Sequence, residues 1–281
     1  MKSNKFFLGI FLMLFFGVSM LFLYNKSIAF EEEEALKKHM DALLSTLNNK
    51  IEEITKVSLA SSITLSKNPY VIECLVSKNR ETCVEHLLDV RNALSSANLF
   101  ETIRLHLHTS DFKSFVRLWD YHNNNNDSLS SFRHAFEKIK KTKRAMTGIE
   151  IGRHGMFIRA IAPVFDKQSY AGSIETVVDF KSINEYFQKD SIDFYVLMKN
   201  EYADISNAIT YPSKLILDNY TIINRDTNGL QFIKEVNFQG TGYIKRGDYT
   251  ILHTPIVDIN GLHVGFFVLV WSENLSLSSF K

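Results

Sequence analysis

LHLHTSDFKSFVRLWD, running from Leu105 to Asp120, is the stretch on which the fold turns. Two strand-like runs flank the polar pair Ser110-Asp111, a turn signal, so the segment is expected to fold as a hairpin. Side chains alternate between the faces of a strand, which sends His106 and His108 to one side and Leu105 and Leu107 to the other. The second run repeats the arrangement, with Phe115, Arg117 and Trp119 expected on one face and Val116 and Leu118 on the opposite one. One face is then a core and the other a cationic and aromatic wall. An arginine fork matches a carboxylate bidentately, and an indole offers one donor on a large apolar surface. Such a wall suits a small anionic or zwitterionic ligand.

Three further strands are expected downstream, at Thr147 to Gly152, Met156 to Phe165 and Gly172 to Phe180. Alternation groups Phe157, Arg159 and Ile161 on one face of the middle strand, and Ser173, Glu175 and Val177 on one face of the last. Arg159 and Glu175 can therefore join Arg117 on a single sheet surface, with Glu150 nearby. Between hairpin and strands, Leu129 to Lys143 reads as an amphipathic helix with Phe132, Phe136 and Ile139 inward and Arg133 beside that stripe. The polar run Asn123 to Asn126 reads as a solvated loop.

Upstream, Phe6 to Tyr24 is an uncharged apolar run of about 19 residues, enough as a helix to cover the hydrocarbon core of a bilayer. A cleavable signal peptide competes, because Lys2 and Lys5 resemble an n-region and Ser27-Ile28-Ala29 a cleavage site. The run is longer than an ordinary signal core, and Asn25-Lys26 interrupts the approach to the site, which favours an uncleaved anchor. Lysines before the span outnumber the single Lys26 directly after it, which keeps the N-terminus in the cytoplasm and places the remainder outside.

From Ala29 a long stalk helix is expected, with Leu36, Met40, Leu43, Leu47, Ile51, Ile54, Ser58, Ser61 and Leu65 at alternating steps of three and four. Its membrane-distal half is expected to pack on the domain, and its proximal half to offer a seam for a homodimer. Asn68-Pro69 ends it. A shorter helix follows from about Arg80, capped by Asn79, to Ser96. Cys74 and Cys83 bracket its start, placed either for a disulfide in an oxidising compartment or as two separate thiols, with no metal signature around them. Beyond a short helix at Phe180 to Phe187, a second strand set comprises Asp193 to Met198, Gly242 to Lys245, Tyr249 to Val257 and His263 to Trp271. Turn pairs at Arg246-Gly247 and Asn260-Gly261 suit hairpins.

The net charge of +1 over 281 residues carries no basic face of the kind nucleic-acid binders show. GxSxG, P-loop and HExxH signatures are all missing, and no enzyme activity is expected. Arginines near Glu150 and Glu175 are expected to hold both acids ionised, unsuited to a general acid. His106-x-His108 has the geometry of a two-histidine metal pair on a strand, the basis of a rival reading as a metal-dependent enzyme. No third or fourth ligand follows in the sequence, and no metal or cofactor is assigned.

The stretches quoted, with DSLSSFRHAF, GIEIGRHGMFIRAIAPVFD and YAGSIETVVDF, resemble the double Cache sensory domains of bacterial chemoreceptors, sensor histidine kinases and diguanylate cyclases. The resemblance runs over roughly 36–267. It implies an α+β fold: a transmembrane helix continuing into a stalk, then two PAS-like antiparallel-sheet modules, membrane-distal before membrane-proximal. The corresponding divisions are 1–28 for the cytoplasmic tip and anchor, 29–68 for the stalk, 69–187 for the distal ligand-binding module and 188–281 for the proximal one. The family implies an extracytoplasmic sensor of amino acids or carboxylates, anchored in the bacterial inner membrane and facing the periplasm. Its pocket would take His106, His108, Arg117, Trp119, Arg133, Glu150, Arg159 and Glu175. The family would continue past Lys281 into a second span and a cytoplasmic output domain, which this chain is expected to lack, and a stand-alone anchored or secreted binding protein acting with a separate receptor is the alternative.

Overall fold

The computed structural model describes residues 2–96, 102–123, 126–130, 133, 135–206, 217, 219–224, 230–234 and 236–272. A single helix, α1, runs from Lys2 to Ser66 without a break at Asn25-Lys26-Ser27. No proline falls inside it, and its two glycines, Gly9 and Gly17, are too weak as breakers to end so long an apolar run. Its apolar part is long and hydrophobic enough to cross a membrane, with none of that window buried. Contacts divide the chain into two units, Met1–Asn49 and Lys50–Lys281.

In the second unit α1 ends at Ser66, and Asn68 caps a helix the sequence had not signalled, α2 (Pro69–Ser77), its side chain accepting from the Tyr70 amide. Proline stands at the first helical position, where its missing N–H costs nothing. Next comes α3 (Arg80–Ser96), whose Thr82 amide donates to the Asn79 side chain at 3.4 Å. A disulfide between Cys74 and Cys83 joins these two helices, with Cα atoms 5.4 Å apart.

The chain then forms β1 (Ile103–Thr109), β2 (Ser114–Arg117), α4 (Ala135–Thr142), β3 (Met146–Gly152), β4 (Gly155–Asp166) and β5 (Ser169–Val178). These strands make one antiparallel sheet in the order β2-β1-β5-β4-β3. On one face Leu105, Leu107, Val116, Ala162, Val164 and Ile174 bury against Leu65, Val71, Leu75, Val84 and Leu87 of the first three helices. Ser62 of α1 donates to the Ala160 carbonyl at 2.8 Å, and Thr176 donates to the Ser58 carbonyl at 3.1 Å. The inward turn of α1 is thus pegged to β4 and β5 through Ser58 and Ser62; the expected stripe position Ser61 is only half-buried. On the other face α4 covers part of the sheet through Phe136 and Ile139, which pack with Ile161 and Leu129. This helix starts at Ala135, later than the expected Leu129, and Phe132 lies outside the described residues.

After α5 (Lys181–Gln188) come β6 (Asp193–Lys199), β7 (Tyr220–Ile222), the single turn α6 (Leu230–Ile233), β8 (Gly242–Arg246), β9 (Tyr249–Val257) and β10 (His263–Ser272). They form a second five-stranded antiparallel sheet, ordered β7-β6-β10-β9-β8. Val264 to Trp271 is the buried central strand its unbroken apolar run implies. The two sheets are joined through backbone: the Ile259 amide, in the β9–β10 turn, donates to the Ile149 carbonyl of edge strand β3 at 2.8 Å. A Cβ on Gly148 would stand 3.1 Å from that of Ile259, so the close approach uses the missing side chain.

Candidate functional site

The face of the first sheet opposite the aliphatic core carries the polar cluster. Pairing sets Arg117 opposite His106, His106 opposite Glu175, and Glu175 opposite Ile161, while Arg159 faces Val177 across the β4–β5 ladder. His106, His108, Arg117, Arg133, Glu150, Arg159 and Glu175 are all buried. Strand alternation brings six of the seven together, Glu150 among them, because β3 sets it opposite Phe157 on the face that carries Arg159. Arg133 arrives from two residues before the start of α4.

Two expectations about the second run of the hairpin are corrected. The β1–β2 pairing shifts register between Leu107 and His108, so that His108 meets Ser114 while Leu107 meets Val116. Phe115 is the surplus residue at this irregularity and packs towards the aliphatic cluster rather than beside Arg117. The strand also stops at Arg117, and Trp119 lies in a 3₁₀ turn, Leu118–Asp120. Its ring still meets the site, edge-on to His106 with centroids 5.4 Å apart.

The charges are committed to one another. Arg133 Nη2 donates to Glu175 Oε1 at 2.5 Å, Arg159 Nη1 donates to the same oxygen at 3.1 Å, and Arg133 Nε lies 2.7 Å from Glu150 Oε2. Arg117 Nη2 donates to Asp127 Oδ2 at 2.8 Å, and Arg153 Nη1 lies 2.7 Å from that oxygen. Asp127 was not anticipated, because it sits in an irregular loop where no periodicity points inward. The guanidinium of Arg159 reaches past Gly152, where a Cβ would come within 2.6 Å of Nη2.

Burial works against every charge here, and the partners decide which survives. Burial pushes Glu175 upwards, but Arg133, Arg159 and the two histidines outweigh it and hold the carboxyl well below its usual range. Glu150 behaves otherwise: burial raises its pKa despite Arg133 and Arg159. The geometry explains the difference. Although Glu150 Oε2 is close to Arg133 Nε, neither atom has a well-directed hydrogen bond among the described residues. Burial, with His108 beside it, pulls His106 well below the normal imidazole value, and burial lowers His108 as well.

Orphaned buried atoms collect in this place. Trp119 Nε1, Asp127 Oδ1, Arg133 Nε, both Glu150 oxygens, Arg159 Nε and Glu175 Oε2 have no hydrogen-bond partner among the described residues. Donors and acceptors thus lie unsatisfied side by side, which is costly unless something else meets them.

A family described as a double sensory domain of two-component sensor kinases, dCache_3, matches residues 33–273. The chain belongs to this double Cache family. Among solved structures, a domain of a sensory box/GGDEF family protein from Vibrio parahaemolyticus is 14% identical, with 85% of this chain and 97% of that one covered and a TM-score of 0.49. The sensor domain of the V. cholerae histidine kinase DctB is 10% identical over 83% and 94%, at a TM-score of 0.47. The sensory domain of the Campylobacter jejuni chemoreceptor Tlp3, solved with isoleucine bound, is 10% identical over 86% and 94%, also at 0.47. No curated protein matches the chain. The long apolar helix followed by two five-stranded antiparallel sheets is the α+β, PAS-like architecture of a double Cache sensor.

Proposed function

We propose that the buried cluster of the first module binds a small molecule of amino-acid or carboxylate type, and that the chain senses it outside the cytoplasmic membrane. The observation carrying this reading is the juxtaposition of orphaned donors (Trp119 Nε1, Arg159 Nε) with orphaned acceptors (Glu150 Oε1, Asp127 Oδ1) in one buried place. A zwitterion satisfies both kinds at once, its carboxylate on Arg117, Arg133 or Arg159 and its ammonium on Glu150 or Glu175, with His106, His108 and Trp119 walling the site.

Binding competes with the internal pairs Arg117–Asp127, Arg133–Glu175 and Arg159–Glu175, and a ligand shifts the protein only by its differential affinity for the two arrangements. Rearrangement of β4 and β5 is passed to α1 through the Ser62 and Ser58 pegs. In this reading residues 1–28 are tip and anchor, 29–68 stalk, 69–187 the binding module and 188–281 the second module. The N-terminus is cytoplasmic, the modules periplasmic, and two copies pair along the helix.

The test is a thermal-shift screen of amino acids and organic acids on the detergent-solubilised chain. A ligand at a hundred times its Kd stabilises by about 2.7 kcal/mol. Calorimetry with the hit should show binding lost in Arg117→Ala; unchanged affinity in that variant removes Arg117 from the site, and a screen without any shift removes the ligand class.

A further inference from the structure

We propose that His106 Nδ1, His108 Nε2 and Glu175 Oε2 form a binding site for one divalent transition-metal ion of the zinc class. The third donor, which the sequence spacing could not supply, comes from β5, whose pairing with β1 sets Glu175 directly opposite His106. His106 Nδ1 and His108 Nε2 are 2.9 Å apart, and Glu175 Oε2 lies 3.4 Å from the first and 3.5 Å from the second. A triangle of these sides has a point about 1.9 Å from all three corners, so an ion at the usual ~2.0–2.2 Å from nitrogen and oxygen sits just out of its plane. Two imidazoles and one carboxylate are the donor set of three-ligand zinc and iron(II) sites, with coordination positions left open.

The surroundings are those of a held site. Ser114 Oγ is 2.8 Å from His106 Nε2, and Ser173 Oγ is 3.0 Å from His108 Nδ1. When each serine accepts from the ring nitrogen facing it, both inner nitrogens present lone pairs to Glu175 Oε2. Such outer partners fix the tautomer and orientation of ligating histidines. Arg133 and Arg159 both hold the other oxygen, Oε1, which fixes the carboxylate and leaves Oε2 directed at the rings. Oε2 itself has no hydrogen-bond partner among the described residues, although its side chain is fully buried. Two neutral imidazoles whose inner nitrogens share one proton have none left for that oxygen, whereas a cation satisfies all three atoms together.

Charge sets a condition on the ion. The formal charges of Arg133 and Arg159 cancel those of Glu150 and Glu175, so a dication needs an anion from solution in an open position, hydroxide or a carboxylate. The assignment does not depend on the amino-acid reading, since the three donors hold the ion whichever anion completes it.

The experiment uses the full chain in detergent, purified without a metal-affinity tag, stripped with chelator and titrated with Co²⁺. About one equivalent should bind with visible ligand-field absorption lacking a thiolate charge-transfer band, and Zn²⁺ should displace it. His106→Phe should lose this equivalent, and Ser173→Ala, which leaves all three ligands in place, should weaken it by about 10–100-fold. Circular dichroism checks that each variant folds, and if His106→Phe does not, Ser173→Ala decides. Binding that is equal in wild type and His106→Phe marks exposed histidines as the source and overturns the proposal, as does wild-type affinity in Ser173→Ala or failure of wild type to take up Co²⁺. Amino-acid calorimetry on metal-free and metal-loaded protein tests the other reading separately, because stoichiometric Co²⁺ uptake without amino-acid binding leaves this site standing.

Discussion

Arg133 shows what a buried charge does for this protein. It contacts two acids; burial alone would lower its pKa, but attraction to Glu150 and Glu175 outweighs burial and raises it. Replacing it with methionine keeps the volume but strands two carboxylates, and deleting one partner of a buried network costs about 3–5 kcal/mol. Arg133→Met should therefore lose that much in urea denaturation; a loss under about 1 kcal/mol would mean the acids find water or each other instead. Alternation made most of this cluster legible: His106, His108, Glu175 and Arg159 share a face because their strands keep a strict period of two. It failed at Phe115, because a shift of register inside a ladder leaves no mark in a hydrophobic pattern, and at Asp127, which no periodic element carries. The donor that completes the histidine pair was hidden for a related reason, since only the pairing of β1 with β5 brings Glu175 alongside.

Among the elements, α2 and α3 depend on their cross-link. The disulfide closes a short loop, Cys74 to Cys83, and in the chain-entropy account this stabilises by roughly 2–3 kcal/mol. Cys83→Ser should lose about that amount, and reductant should reproduce the loss in wild type but not in the variant, as read by thermal melts. In the second sheet, His253 of β9 lies edge-on to Phe238 and Phe266, and its Nδ1 is 3.0 Å from the Gly240 carbonyl. Burial lowers its pKa despite that carbonyl. A depressed imidazole makes its full contribution above the unfolded value of about 6.5 and loses it as the pH falls below that. His253→Phe should flatten the fall in melting temperature over this acid range; an unchanged slope would assign it to other groups. Long or strongly patterned elements were readable, down to the limits of α3 and β9. The nine-residue α2 was not, because the proline that suggested an end was also a helix start, and β7 is too short to rise above its irregular surroundings.

For the molecule as a whole, the two modules are coupled where Gly148 and Ile149 of β3 meet the β9–β10 turn. Gly148→Val places methyl groups where Ile259 already stands, and overpacking of this kind costs about 1–3 kcal/mol. The turn should lift, with faster hydrogen exchange at the Ile259 amide and a lower melting temperature; an unaltered exchange rate would show that the contact yields without breaking. Two sheet modules after a long apolar helix were legible in the sequence, but this joint was not, since Gly148 and Ile259 belong to different segments and share no pattern. The same contact bears on solubility. As β3 is an outermost strand, its free side is a template on which a neighbouring molecule's backbone can add, and the docked turn occupies part of it. Changes that dislodge the turn therefore carry a colloidal hazard as well as a signalling one: they unmask a sticky margin, and preparations of such variants should clump at concentrations the parent tolerates.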